Sequence, residues 1–191
     1  MLQLYGNPRS RAMRCLWMLE EVGQPYQLVD KSLRADDLHS ADYLKLNPNA
    51  RIPTLVDGEL VLWESMAINL YQDDGGEAEA IQWSFWIMTE VEKKALTALL
   101  HRFLLPEDKR DSKLADEAEH QLQKPLSVLD QRLATTGYLI GETFTVADLN
   151  VASVLSWARI GGVALSAFPN MDQWLAGCLK RAAAVRARNS T

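Results

Sequence analysis

Leu2 and Leu4 alternate with polar neighbours, and so do Tyr26 and Leu28, which is the period-two pattern of short strands. Between them Met13, Leu16, Trp17, Leu19 and Val22 recur every three or four positions. That spacing predicts a helix, opened by Ser10 as N-cap and stopped at Gly23 with Pro25 just beyond. A shorter helical stretch over 41–46 ends at Asn47-Pro48, because the residue before a proline is pushed out of helical geometry. Ile52, Thr54 and Val56, then Leu60 and Leu62, flank Asp57-Gly58 and predict a hairpin. Ser65 caps a further helix through Ile68, Leu70 and Tyr71.

The order over residues 1–72 is therefore βαβαββα. A strand-helix-strand start implies a right-handed parallel crossover, and the closing hairpin adds antiparallel strands. The expected product is a four-stranded mixed sheet faced by helices, the thioredoxin-like α/β arrangement.

The polar, glycine-rich stretch Asp73-Asp74-Gly75-Gly76-Glu77 marks a linker at 73–78. Beyond it every long segment has helical spacing: 79–105, 112–136, 145–158 and 171–187, with Gly137, Gly141 and Gly161-Gly162 as breaks. Residues 79–191 are thus expected to form an all-helical bundle. Within it Thr145-Val146-Ala147-Asp148 is a capping box, a folding signal rather than chemistry.

Composition narrows the function. Of the 191 residues, 48% are hydrophobic and 24% charged, enough apolar material for real cores. The net charge of −5 argues against nucleic acid as a partner. The basic tail of Lys180, Arg181, Arg186 and Arg188 reads as a solvated helix end. No apolar run reaches the ~20 residues of a membrane span. The start of the chain lacks the apolar core of a secretory signal, and Cys15 and Cys178 stand far apart. A cytoplasmic, reducing location with no disulfide follows as the expectation. His39, His101 and His120 are scattered, so no metal site is expected.

Three segments carry candidate chemistry. Residues 1–19 hold Arg9, Arg11 and Arg14 and no acid, at or near the head of the first helix. A helix N-terminus adds about half a positive charge and free N–H groups, so an anion beside Ser10 and Arg11 would be held there; we take that anion to be a thiolate. A thiol of pKa about 8.5 is only ~3% ionised at pH 7, and lowering it by two units requires about 2.7 kcal/mol. An exposed helix end supplies only ~0.3–1 kcal/mol, so the Ser10 hydroxyl or the Arg11 charge must provide the rest. Ile52-Pro53 heads the third strand. A cis bond there would turn the Ile52 backbone toward an extended peptide ligand, whereas a trans bond would merely start an edge strand. At Glu64-Ser65 a ligand carboxylate could take the Ser65 hydroxyl and helix amides while Glu64 holds an ammonium.

In combination these segments resemble the glutathione transferase family. Leu4-Tyr5-Gly6-Asn7-Pro8-Arg9-Ser10-Arg11 resembles its first strand and catalytic loop, and Asn47-Pro48-Asn49-Ala50-Arg51-Ile52-Pro53-Thr54-Leu55 the segment with its cis-proline. Glu64-Ser65-Met66-Ala67-Ile68 resembles its glutamyl-binding motif, and Phe144-Thr145-Val146-Ala147-Asp148 the capping box of its helical domain. The resemblance spans nearly the whole chain, and in its length and in the arginine after Ser10 the chain is similar to short bacterial members of the chi type.

The resemblance implies a transferase that conjugates the thiolate of glutathione, its co-substrate, to a small hydrophobic electrophile in detoxification, and it implies a homodimer. Ser10 or Arg11 would stabilise the thiolate, with Tyr5 a third candidate, and Arg51, Ile52, Pro53, Glu64 and Ser65 would contact glutathione. The electrophile pocket would draw on the Asn7-Pro8 loop and on Trp83, Trp86, Met88, Leu100 and Phe103. The alternatives are a glutathione-dependent peroxide or disulfide reductase, disfavoured by the missing Cys-x-x-Cys, and a non-catalytic binding module of the same fold.

Overall fold

The computed structural model describes residues 1–31, 36–72 and 78–190. The chain divides into two compact units, residues 1–76 with 181–191, and residues 77–180. The segment 73–77, which holds nearly all of the expected linker, lies outside the described residues.

In the first unit the central strand is β1 (Leu2–Gly6), with Leu2 and Leu4 buried. It runs parallel to β2 (Tyr26–Asp30) on one side and antiparallel to β3 (Thr54–Asp57) on the other, and β3 turns through Gly58 into the antiparallel edge strand β4 (Leu60–Trp63). The order β2-β1-β3-β4 is the mixed sheet that the sequence predicts.

Helix α1 (Ala12–Val22) is sheathed along much of its length, with Ala12 and Arg14 through Leu19 all buried. It packs against β1, against α3 (Ser65–Gln72) and against α9 (Ala182–Arg188). It ends as predicted at Gly23, whose φ of 67° is the left-handed C-cap that glycine adopts without a Cβ penalty. Helix α2 (Ala41–Leu46) is capped by the Ser40 hydroxyl, which accepts from the Tyr43 amide at 3.3 Å, and it stops at Asn47.

The second unit is helical throughout its regular structure: α4 (Ala78–Ile87), α5 (Lys93–Leu99), α6 (Ser112–Leu133), α7 (Val146–Ile160) and α8 (Pro169–Lys180). The segment predicted as one helix over 79–105 is interrupted by π-helical turns at Met88–Glu92 and Leu100–Leu104, on either side of α5. A period-3.6 pattern is blind to single wide turns. Asp148 organises the loop before α7. Its carboxylate accepts from the Thr145 amide at 3.0 Å, the Thr145 hydroxyl at 3.2 Å, the Leu139 amide at 3.0 Å and the Trp174 indole at 2.9 Å. Burial pushes this carboxyl above the usual range, against the downward pull of those donors.

Two expectations about the C-terminus are corrected. The helix predicted over 171–187 breaks at Arg181, whose ψ of 140° is extended, so that α8 and α9 are separate. Residues 181–191 then join the first unit instead of the helical bundle. The basic tail is also not simply solvated. Arg181 forks onto Glu21 through Nε at 2.6 Å and Nη2 at 2.8 Å, and Arg186 Nε meets Glu20 at 2.5 Å.

Candidate functional site at the head of the first helix

The loop from Gly6 to Arg11 is held by its own side chains. Asn7 donates its amide to the Lys31 carbonyl at 2.6 Å and accepts the Arg9 N–H at 3.0 Å, which ties the loop to the end of β2. The Ser10 hydroxyl donates to the Asn7 carbonyl at 2.8 Å and accepts the Ala12 N–H at 3.1 Å.

Ser10 therefore stands one residue ahead of its predicted place. The N-cap position falls on Arg11, which has helical φ and ψ and makes no side-chain cap. The amides of Ser10, Ala12, Met13 and Arg14 all find acceptors within this tight turn. The first-turn amides thus offer an incoming anion much less than the sequence suggests, and the burden moves to side chains. The Ser10 proton must swing away from the Asn7 carbonyl to reach a ligand. Arg11 is exposed beside it.

Gly6 brings the next segment in. Its φ is 152°, and a Cβ there would lie 2.4 Å from the Ala12 Cβ and 3.7 Å from the Ile52 Cβ, so α1 and the Ile52 turn close on the same bare backbone. The Ile52–Pro53 bond is cis. Two side chains of the α2 region fix this turn: the Tyr43 hydroxyl donates to the Arg51 carbonyl at 2.7 Å, and the Asn47 amide donates to the same oxygen at 2.9 Å. Both also reach the Thr54 hydroxyl, at 3.0 and 3.1 Å. Ile52 is buried with Leu38 and Tyr43, and Tyr5 packs on that cluster with its ring centroid 5.9 Å from that of Tyr43. The Tyr5 hydroxyl is turned to Gln3 at 3.4 Å.

The third segment follows from register. Thr54 pairs with Trp63, so Pro53 and Glu64 leave the hairpin at one end. Glu64 is exposed with φ of 75°, a left-handed conformation uncommon for a side chain of its size. Ser65 opens α3 and is buried. Arg14 Nη1 lies 3.4 Å from the Ser65 hydroxyl, and the Cys15 thiol is 3.7 Å from the Ser65 carbonyl.

All three predicted segments therefore meet at the first turns of α1. Arg51 lies at the surface, its carbonyl committed to the turn. Of the side chains expected to line an electrophile pocket, Trp83 is buried, Trp86, Met88 and Leu100 are half-buried, and Phe103 is exposed.

Comparison with known proteins settles the lineage. Residues 1–74 match the family model for the glutathione S-transferase N-terminal domain, and residues 92–182 match the model for its C-terminal domain. The chain belongs to the glutathione transferase family. It is 32% identical to glutathione S-transferase 1 of Zea mays, over 94% of this chain and 92% of that protein. It is 28% identical to glutathione S-transferase GstB of Escherichia coli K12, over 91% of each. Among solved structures, glutathione S-transferase-I bound with lactoylglutathione superposes with a TM-score of 0.87 at 29% identity, covering 98% of both chains. A Burkholderia graminis glutathione transferase solved with two glutathione molecules per subunit superposes at 0.83 with 28% identity, covering 99% of this chain and 88% of that one.

In this glutathione transferase, sequence reasoning missed Tyr43, gave Asn7 to the electrophile pocket and counted Arg14 only among the cations at the head of the first helix. Asn47 was legible as a helix stop before Pro48 and as the start of the cis-proline segment, not as a donor to the Arg51 carbonyl. Arg14 carries a signal in hindsight: a lone cation in the apolar run from Ala12 to Leu19 must either snorkel or be used.

The cysteines do not add chemistry. Neither forms a disulfide, both are buried, and burial pushes the Cys15 thiol far above its ordinary range despite the opposing charge of Arg14. An open cleft of about 550 Å³ lies at the other end of α1, against Gly23, Pro25, Tyr26 and Arg186, and shares no residue with this site.

Proposed function

We propose that this transferase binds glutathione across the three segments gathered at the head of α1 and attacks a small electrophile with the glutathione thiolate. The observation that carries the reading is that convergence. In it the cysteinyl sulfur lies beside Ser10 and Arg11, the peptide backbone runs along Ile52 and Pro53 with Arg51 at its edge, and the γ-glutamyl end reaches Glu64 and Ser65. The Ser10 hydroxyl turns from the Asn7 carbonyl to donate to sulfur, and Arg11 supplies charge from the exposed side. Glu64 takes the ligand ammonium, and the Ser65 hydroxyl takes its carboxylate.

A homodimer belongs to the same reading. Exposed Leu60, Trp63 and Tyr71 on the first unit and Ile81 and Phe85 on the second supply apolar surface for it. The cytoplasm is the compartment that suits a glutathione-dependent enzyme whose two cysteines form no disulfide.

The test is calorimetric titration with glutathione, followed by the thiolate absorbance of the complex across pH and turnover of an aryl halide. Saturable binding, a bound-thiol pKa well below ~8.5 and conjugate formation are the expected results. Binding without turnover would favour a binding module, and no binding would remove the reading.

A further inference from the structure

Residues 1–19 carry Arg9, Arg11 and Arg14 and no acid. Arg14 is turned into the unit, whereas Arg9 and Arg11 stay exposed on either side of Ser10. Arg11 is the charge assigned above to the glutathione thiolate. Arg9 has no part in that reading, and among the described residues nothing is bonded to its guanidinium. Its backbone, by contrast, is fixed. The Arg9 N–H donates to the Asn7 side-chain oxygen at 3.0 Å, the Asn7 amide is braced on the Lys31 carbonyl at 2.6 Å, and the Ser10 N–H meets the Asn7 carbonyl at 3.1 Å. A tied loop thus presents a long cationic side chain whose end is uncommitted among the described residues. Adjacent Cα atoms lie about 3.8 Å apart, and an electrophilic carbon must come to about 3–3.5 Å from sulfur at the point of attack. With the sulfur beside Ser10, the remainder of a small electrophile falls within the span of the Arg9 side chain.

We propose that Arg9 is a specificity-determining residue for the co-substrate, and that the preferred electrophile carries an anionic group, a carboxylate or sulfonate, a few bonds from the reacting carbon. The inference rests on the glutathione reading above and names the co-substrate class for it. An acidic electrophile meets a difficulty that a neutral one does not, because the thiolate it must approach repels it. A cation next to the point of attack offsets that repulsion. The guanidinium is a planar fork that fits an oxyanion through two donors and stays charged at every working pH. Ser10 and Arg11 then hold the sulfur while Arg9 holds the acidic group. With an aryl chloride, the sulfur forms a bond to the ring carbon, the carbon–chlorine bond breaks and chloride leaves with the bonding pair. The acidic group is unchanged by the reaction, and no oxidant or reductant takes part.

The experiment compares two aryl chlorides that differ in charge, 4-chloro-3,5-dinitrobenzoate and 4-chloro-3,5-dinitrobenzamide, at saturating glutathione. Each kcat/KM is divided by the rate constant of the same halide with free glutathione, which removes intrinsic reactivity. The full-length protein is measured beside its Arg9→Gln, Arg9→Lys and Arg9→Glu variants, each checked for folding by circular dichroism and thermal unfolding. The wild type is expected to favour the benzoate by about fivefold, the upper end for an exposed ion pair. Arg9→Gln should bring the ratio close to one and Arg9→Glu below one, through the KM for the benzoate rather than through kcat. Arg9→Lys keeps the charge without the fork and should hold a ratio of about two to three. A wild-type ratio of one or less overturns the proposal, as does a ratio unchanged in Arg9→Gln and Arg9→Glu. An equal loss for both halides also overturns it, since that marks an arginine serving the loop or glutathione itself. Turnover of neither halide by a protein that binds glutathione overturns the proposal and leaves the binding reading standing. Absence of glutathione binding in calorimetry is instead the failure of the glutathione reading, and it removes both.

Discussion

The guanidinium of Arg181 grips the carboxylate of Glu21, 160 positions earlier in the chain, through two bonds of 2.6 and 2.8 Å, and the Trp17 indole donates to the same carboxylate at 2.9 Å. Together with Arg186 on Glu20, this pair fastens α9 to the C-terminal half of α1. Burial alone would raise the Glu21 carboxyl. The hydrogen bonds from Arg181 and Trp17 and the charges of Arg181 and Arg186 outweigh burial and hold it below its ordinary value.

That shift fixes the sign of an acid effect. A depressed carboxyl contributes stability that is present above its unfolded pKa of about 4.3 and is lost as pH falls through the lower folded value. The protection of the amides of residues 182–188 against hydrogen exchange, measured relative to the intrinsic rate at the same pH, is expected to be high at pH 7 and to fall below about pH 4. Glu21→Gln should show the lower protection already at pH 7. Arg181→Ala should cost about 1 kcal/mol in urea unfolding, as befits a forked, half-exposed pair.

Asp148→Ala leaves four donors without their common acceptor. The expected cost is about 3 kcal/mol, with Trp174→Phe costing about 1 kcal/mol because it removes a single bond. Thermal or urea unfolding measures both, and equal costs for the two variants would contradict the carboxylate's role as organiser of the loop.

Ser10→Ala and Arg11→Ala separate the two candidates for the thiolate. Each is expected to lower kcat/KM by roughly tenfold, about 1.4 kcal/mol, and to raise the pKa of the bound thiol by about one unit. Because the Ser10 hydroxyl also closes the turn on Asn7, its variant should lower the melting temperature slightly as well. Full activity in both variants would displace the site.

Gly6→Ala tests the close approach that joins α1 to the Ile52 turn. A methyl 2.4 Å from the Ala12 Cβ, on a residue with φ of 152°, should cost about 2–4 kcal/mol and weaken glutathione binding together with stability.

Phe85 is 69% exposed on α4, so Phe85→Glu should fold normally. Sedimentation is expected to show a dimer for the wild type and a shift toward monomer for this variant. A wild-type monomer would refute the dimer reading.

The sequence by itself determined whatever depends on near neighbours. Alternation at Leu2–Leu4 and around Asp57-Gly58, helical spacing from Met13 to Val22, the Gly23 stop and the Thr145–Asp148 box all act over a few residues, and all reappear in the structure. The three candidate segments could be picked out for the same reason, each being a short local motif.

Only the tertiary structure decided how those motifs are used. Local sequence left Ile52–Pro53 free to be cis or trans, and the structure has it cis. Nothing near Arg14 tells that it points at Ser65, 51 positions away, and nothing near Arg181 tells that it closes on Glu21. The Ser10 hydroxyl looks like a cap until the backbone places the Asn7 carbonyl within 2.8 Å of it. The common physical reason is that a buried charge or a committed hydroxyl is defined by its partner. When that partner is distant in the chain, periodicity and propensity carry no record of it.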